Sequence, residues 1–415
     1  MATVLKDEAV EANPWDVSRA ELFANDVWQE PMRQMRETAP IHYCPESKFG
    51  PYWSVTTYKP IMHIEALPKV FSSSWEYGGI TVAGDGIDHL QEGDVPMPMF
   101  IAMDPPQHTA QRRTVAPAFG PAEVERMRAE TVARTAAVLD SLPLNTPFDW
   151  VEKLSIELTT QMLAILFDFP WDERHKLPIW SDAITSLDMI KNRQQERQVM
   201  MFEMAMKFFA LWQERTAAEP APDLLSMMIH SNAMSKMDQV EFIGNMALLI
   251  VGGNDTTRNS MSGLVDAINR WPEEWDKVLA NPGLAGNAGS EVIRWHSPVA
   301  HMRRTVTEDH DFRGHAFKEG DKVGLWYISG NQDEDYFEAG DRFIADRDNA
   351  RRHLSFGYGV HRCVGARLAE LQIATLIEEM VARNMRVEQA GDVVREHNPF
   401  VNQILQIPVR VTKAG

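Results

Sequence analysis

Phe356-Gly357-Tyr358-Gly359-Val360-His361-Arg362-Cys363-Val364-Gly365 sets a single cysteine between a glycine-rich turn and an amphipathic run over 365–384. The spacing of that run predicts a helix. Amide groups at a helix start favour thiolate over thiol. The glycines permit positive φ and let a flat ligand approach the backbone. The alternative is a buried structural cysteine, the commoner fate of a lone thiol. A dinucleotide fingerprint fails here, because Arg362 stands where its third glycine is needed.

Working outward, three further segments carry chemistry-bearing residues. Gly252-Gly253-Asn254-Asp255-Thr256-Thr257 lies inside an apolar run that predicts a long helix over 235–269. Each glycine costs such a helix about 1 kcal/mol relative to alanine. Close approach of a ligand would explain the pair. A Thr hydroxyl can bond the carbonyl one turn back, and an acid beside it can relay protons; a solvated Asp and a back-bonded Thr are the alternative. Glu291-Val292-Ile293-Arg294 puts an acid and a base on one helical face, which is also the pattern of a surface ion pair. In Asp104-Pro105-Pro106-Gln107-His108-Thr109-Ala110-Gln111-Arg112, His108 and Arg112 share a face and could bind two carboxylates. The alternative there is a solvated basic turn, since Arg113 adjoins.

The full chain of 415 residues is 44% hydrophobic and 24% charged, as in ordinary globular proteins. A net charge of −18 speaks against non-specific nucleic-acid binding. The two cysteines, Cys44 and Cys363, cannot hold a four-cysteine zinc or iron–sulfur site. Residues 1–15 lack the basic-then-apolar order of a signal peptide. The longest apolar run, 246–251, is far too short to span a bilayer. These features predict a cytoplasmic protein with no membrane anchor. No G-x-S-x-G, H-E-x-x-H or Walker A pattern supports a hydrolase or nucleotide enzyme. Strand-like pieces at 41–44 and 52–58, a long loop over 73–103, helical zones over 105–167 and 172–219, two helices over 273–295, a small antiparallel sheet over 301–326 and a strand over 400–411 complete the expected order.

The cysteine segment fills every fixed position of F-x-x-G-x-[H/R]-x-C-x-G, and the other three segments follow in the matching order. The chain resembles the cytochromes P450, the haem-thiolate monooxygenases, over nearly its whole length. Only the first few tens of residues, within 1–40, are unconstrained. The resemblance implies a mainly α fold with minor antiparallel β, as a single haem domain over 1–415 with no fused reductase. It implies haem b, with Cys363 as axial ligand to the iron and Phe356, Gly357 and Gly365 around it. His361, His108, Arg112 and Arg304 would hold the haem propionates, with Arg303 the alternative to Arg304. Gly252 and Gly253 would give the cofactor room, and Asp255 and Thr256 would deliver protons. Glu291, Arg294 and Arg347 would form a buried structural set, although Gly340 stands where proline is usual and Ile344 where aspartate is usual.

The implied reaction inserts one atom of O2 into a C–H bond, releases the other as water, and consumes two electrons and two protons. A separate ferredoxin and ferredoxin reductase would supply the electrons, with Arg112, Arg113, Arg362 and Arg367 as a basic docking patch. Residues expected at the substrate are Met99, Phe100, Leu187, Met189, Leu248, Val251, Val299, Met302, Phe400 and Val401. Their apolar character suits a hydrophobic molecule. The wording of the long helix and of Met302-Arg303-Arg304-Thr305 resembles the soluble bacterial branch that hydroxylates terminal carbons of medium-chain alkanes and fatty acids. The alternatives are the same chemistry on a terpene, an aromatic or another small apolar molecule, a peroxide-driven haem enzyme, or a haem sensor without turnover.

Overall fold

The structure, a computed structural model, describes residues 13–83 and 98–413. One helix, Gln239–Arg270, organises the rest. Its N-cap Asp238 accepts hydrogen bonds from the amides of Val240 and Glu241, both at 2.9 Å. Such a cap satisfies donors that a helix start leaves open. The helix ends before Pro272, where the residue preceding a proline disfavours helical backbone.

This helix threads two apolar cores. Its N-terminal half packs Met246, Ala247, Leu249 and Ile250 with Leu163, Trp180 and Phe208, from the helices Glu157–Phe167, Lys176–Thr185 and Gln194–Thr216. Its C-terminal half packs Met261, Leu264 and Ile268 with Val292 and Ile377, from the helices Ala285–His296 and Ala366–Ala382. Residues 251–260 belong to neither core. The glycine and acid–alcohol residues noted in the sequence therefore sit where the two cores part.

A five-stranded sheet flanks the helices. Its order is Ile41–Cys44, Tyr52–Val55, Lys322–Leu325, Met302–Val306 and Phe71–Ser72. Four differences from the expected elements have local causes. Tyr52–Val55 runs parallel to Lys322–Leu325, so the sheet is mixed and not purely antiparallel. The strand expected over 52–58 stops at Val55. Tyr58 instead opens the helix Tyr58–Glu65, donating its amide to the Asp333 carboxylate at 2.8 Å, and Pro60 suits the first helical turn. The strand expected over 400–411 divides into Ile404–Gln406 and Pro408–Lys413. Ile407 gives its amide to the Asp149 side chain at 3.0 Å, and Pro408 has none to give. Within the loop expected over 73–103, short helical turns form at Trp75–Tyr77 and Phe100–Ala102, while 84–97 lies outside the described residues. Among the described residues no helix is long and apolar enough to cross a membrane.

Candidate active site

The cysteine loop is folded by its own backbone. Cys363 donates its amide to the Phe356 carbonyl at 2.7 Å, and Gly357 donates to Leu354 at 2.7 Å. Gly357 and Gly359 adopt φ of +65° and +69°. A Cβ on Gly359 would stand 2.5 Å from the Glu65 carbonyl oxygen, so only glycine lets the loop lie on the end of the Tyr58–Glu65 helix. Phe356 packs against the apolar core from one side, and Gly365 precedes the first turn of Ala366–Ala382. A Cβ on Gly365 would lie 4.0 Å from the Cys363 sulfur. Cys363 keeps accessible surface although protein crowds it. Burial pushes its thiol up, against the Gly365 amide and the Arg112 and Arg362 cations. The Gly365 amide at the helix start thus favours the thiolate, as expected, against a larger opposing effect of burial. A coordinating metal ion would deprotonate the thiol outright.

Beside the loop lies a cluster of two arginines and two histidines, of which Arg304 is paired with Glu65. His108 and Arg112 come from the helix Gln107–Val115, His361 from the cysteine loop and Arg304 from the sheet. The His108 and His361 rings are 4.1 Å apart. Burial, with Arg112 and Arg304, pushes His108 down to about 4; burial, with Arg304, His108 and Arg112, pushes His361 down to about 2. Both ring nitrogens of His361 and Nδ1 of His108 are buried with no hydrogen-bond partner among the described residues. Orphaned polar atoms in a native interior call for a partner. Carboxylates would accept from these ring N–H groups and pair with the Arg112 cation, so the cluster fits the propionates of a haem. The Arg303 alternative is excluded by strand alternation, which sends neighbouring side chains to opposite faces. Arg303 lies against Gly78 and donates to the Tyr77 carbonyl at 2.9 Å, whereas Arg304 reaches Glu65 at 2.9 Å.

The long helix presents two faces at 248–256. Leu248, Val251, Gly252, Gly253 and Thr256 have accessible surface in the middle of a buried helix, while Asn254 and Asp255 are buried. The two glycines do different work. Nothing stands within 4 Å of a Cβ built on Gly252, whereas one on Gly253 would meet Leu163 at 2.5 Å. Gly253, expected at the cofactor, also lets the Leu163 side chain of the crossing helix pack against the long helix. Thr256 donates to the Gly252 carbonyl at 2.9 Å, the back-bond expected of it. Asp255 is fully buried and accepts from the Ser181 and Thr185 hydroxyls, each at 2.9 Å, and from Asn254 at 3.0 Å. Arg258 lies 3.1 Å away and also meets Asp182 at 2.9 Å. Asp255 is thus not solvated. The first group of its network to reach solvent is Asp182, with about half of its side chain (48%) exposed.

Glu291, Arg294 and Arg347 are brought together in the interior. Glu291 accepts from Arg294 at 2.7 and 2.8 Å and from Arg347 at 2.8 Å, and Arg294 also donates to the Gly340 carbonyl at 2.7 Å. The geometry makes Arg347 the partner, and the departures at Gly340 and Ile344 leave backbone groups in the network: Ile344 donates its amide to Glu291 at 3.0 Å.

Among the residues expected at the substrate, Phe100 and Leu248 join one core, and Val299 bridges Val401 across a β-bridge. The Phe400 and Val401 amides are held by Asn398, whose own amide reaches the Thr185 carbonyl at 2.9 Å. Met99, Val251, Met302 and Phe400 are half-buried, and Met189 is buried. Leu187 begins the helix Leu187–Lys191, and its side chain lies outside the described residues. The sequence reading passed over Glu65, Tyr327, Ser181, Thr185 and the Arg258–Asp182 pair. Each is an ordinary polar residue in an unremarkable segment, and only the tertiary fold reveals its partner.

A family model described as Cytochrome P450 matches residues 287–411. The linalool 8-monooxygenase of Pseudomonas putida is 33% identical over 401 residues, covering 95% of this chain and 98% of that protein. The methyl-branched lipid omega-hydroxylase of Mycobacterium tuberculosis is 30% identical over 400 residues, covering 93% and 91%. The solved structure of CYP153D17 from Sphingomonas sp. PAMC 26605 superposes with a TM-score of 0.91 at 54% identity, covering 97% of this chain and 100% of that one. Likeness that runs through nearly the whole of both chains leaves one assignment for the cysteine loop and its cations: the chain belongs to the cytochrome P450 family of monooxygenases, which hold haem b through a cysteine thiolate.

Proposed function

We propose that this monooxygenase hydroxylates the terminal carbon of a medium-chain n-alkane or fatty acid. The observation that carries the reading is the accessible face of the long helix, where Leu248, Val251 and Gly252 surround Thr256 with no charged side chain among them. A site of that kind suits an apolar chain offered end-on. The name of the omega-hydroxylase relative supports the position of attack.

Bound haem supplies the chemistry that puts one atom of O2 into a C–H bond and reduces the other to water. Cys363 would ligate its iron. His108, Arg112, His361 and Arg304 would take its propionates, the histidines as neutral donors and the arginines as cations. Thr256, tied to Gly252, would hold a proton donor beside the reacting oxygen. Asp255 would resupply it, with protons entering by way of Asp182 and Arg258's hydrogen-bonded surroundings. Primary C–H bonds are the strongest in an alkyl chain, so the site must exclude internal positions by shape. A separate ferredoxin and its reductase would deliver electrons, favoured by the exposed Arg113, Arg362 and Arg367 around the cysteine loop.

The test is product analysis of the reconstituted enzyme fed with linear alkanes and fatty acids. The primary alcohol or ω-hydroxy acid is the expected main product. Secondary alcohols throughout the chain would contradict end-on presentation. The linalool 8-monooxygenase relative favours a second reading, oxidation of a terpene, and turnover restricted to linalool would select it.

A further inference from the structure

Glu65 is a fully enclosed carboxylate at the end of the Tyr58–Glu65 helix, and every polar group around it is a donor. Its Oε1 accepts from the Arg304 guanidinium at 2.9 Å and from the Tyr327 hydroxyl, and its Oε2 accepts from the Tyr358 amide at 2.7 Å. The Arg304 guanidinium and the Tyr358 amide can only donate, one to each carboxylate oxygen, so a proton on either oxygen would displace one of them. The geometry is that of an ionised group. Burial raises its proton affinity, and Arg304, Tyr327 and Tyr358 oppose that rise.

The same residue touches the cysteine loop twice. Its carboxylate meets the loop at Tyr358, and its carbonyl lies where a Cβ of Gly359 would be. Glu65 therefore joins the sheet arginine to the cysteine loop. Arg304 donates to Glu65 and to the Arg303 carbonyl, and a guanidinium has five donors in all.

We propose that Glu65 is a positioning residue which sets the charge that Arg304 presents to a haem propionate and so tunes the haem reduction potential. The proposal rests on the reading that Arg304 faces a propionate. With Glu65 ionised, the propionate meets a nearly neutral pair. Without that negative charge it meets an uncompensated cation, which favours the ferrous over the ferric state.

The experiment is spectroelectrochemical titration of the haem-loaded wild type, Glu65→Gln, Arg304→Gln, the double variant and Tyr327→Phe. Glu65→Gln should raise the potential by about a tenfold change in the one-electron equilibrium, about 59 mV. Arg304→Gln should lower it, and Glu65→Gln should add nothing in the Arg304→Gln background. Tyr327→Phe strips a donor from the carboxylate, favours its neutral form and should raise the potential, as Glu65→Gln does. Simple loosening of the loop would make Glu65→Gln shift the potential in the Arg304→Gln background too, whereas charge tuning through Arg304 leaves that background unmoved. An unchanged potential in Glu65→Gln with a shifted one in Arg304→Gln overturns the role of Glu65. An unchanged potential and unchanged haem retention in Arg304→Gln instead overturn the propionate reading. If Glu65→Gln fails to load haem, Tyr327→Phe carries the test, and a wild-type potential there overturns the proposal.

Discussion

At the scale of single residues, Asp255 and Thr256 are sequence neighbours with opposite surroundings. Thr256 is accessible and tied only to its own helix, while Asp255 is enclosed by Ser181, Thr185, Asn254 and Arg258. The helical period sends adjacent residues about 100° apart, so a sequence motif that reads as one unit is divided between two environments. Replacing Thr256 with alanine should leave haem binding intact and divert electrons to peroxide, with product per electron falling about tenfold. Peroxide and product assays at matched NADH consumption check this; fully coupled turnover would contradict it. His301 makes a separate case. Its Nδ1–H donates to the Pro399 carbonyl at 2.8 Å and its Nε2 accepts the Val82 amide at 3.0 Å, a pairing that only the neutral ring satisfies. Burial pushes it down to about 4. Between that value and the unfolded value of about 6.5 the unfolded chain binds the extra proton, so stability is full above that window and declines as pH falls through it. The slope from this residue should approach about 1.4 kcal/mol per pH unit. His301→Asn should flatten the acid limb of denaturant midpoints measured from pH 7 to pH 4; an unchanged limb would contradict the assignment. The cysteine loop and its histidines were legible in the sequence because glycine, histidine and cysteine are forced into fixed spacing there. Glu65 was not, because its role depends on Arg304, Tyr327 and Tyr358, which are far from it in the chain.

At the scale of elements, the helix Lys176–Thr185 is fastened to the reaction machinery at several points. Ser181 and Thr185 hold Asp255, Asp182 meets Arg258, and the Thr185 carbonyl takes the Asn398 amide beside Phe400 and Val401. Movement of this helix would disturb the acid and the 398–401 turn together. The double substitution Ser181→Ala and Thr185→Val removes both hydroxyl donors from the carboxylate. We expect stability to drop by about 1–3 kcal/mol, turnover to fall several-fold and the solvent deuterium isotope effect on product formation to increase. Wild-type turnover and isotope effect would show that the two hydroxyls serve packing alone. Helix existence was readable from apolar periodicity, as in Gln239–Arg270 and Ala366–Ala382. Strand limits were less so. Tyr52–Val55 gives way to a helix through Asp333, and the last strand divides where Ile407 turns its amide to Asp149. Both events depend on side chains distant in sequence. The contact of Gly253 with Leu163 was hidden for the same reason, since Leu163 belongs to a crossing helix.

At the scale of the whole molecule, an acidic chain of net charge −18 carries exposed Arg113, Arg362 and Arg367 around its cysteine loop. A local patch of opposite sign steers an acidic partner, and salt screens it. Arg113→Glu with Arg367→Glu should slow reduction by ferredoxin about tenfold at low ionic strength, with the difference shrinking as salt rises. Equal rates at low salt would move the docking face elsewhere. We propose that the Cys363 loop binds haem facing the apolar surface of the long helix, and that a linear chain enters end-on. Optical titration of the haem-loaded protein with a graded series of n-alkanes and fatty acids, and with linalool, tests this most directly. A thiolate-ligated resting spectrum and a low-to-high-spin shift that peaks at one linear chain length is the predicted result. A shift with linalool alone would discard the linear substrate, and a resting spectrum without thiolate character would contradict the assignment of Cys363 itself.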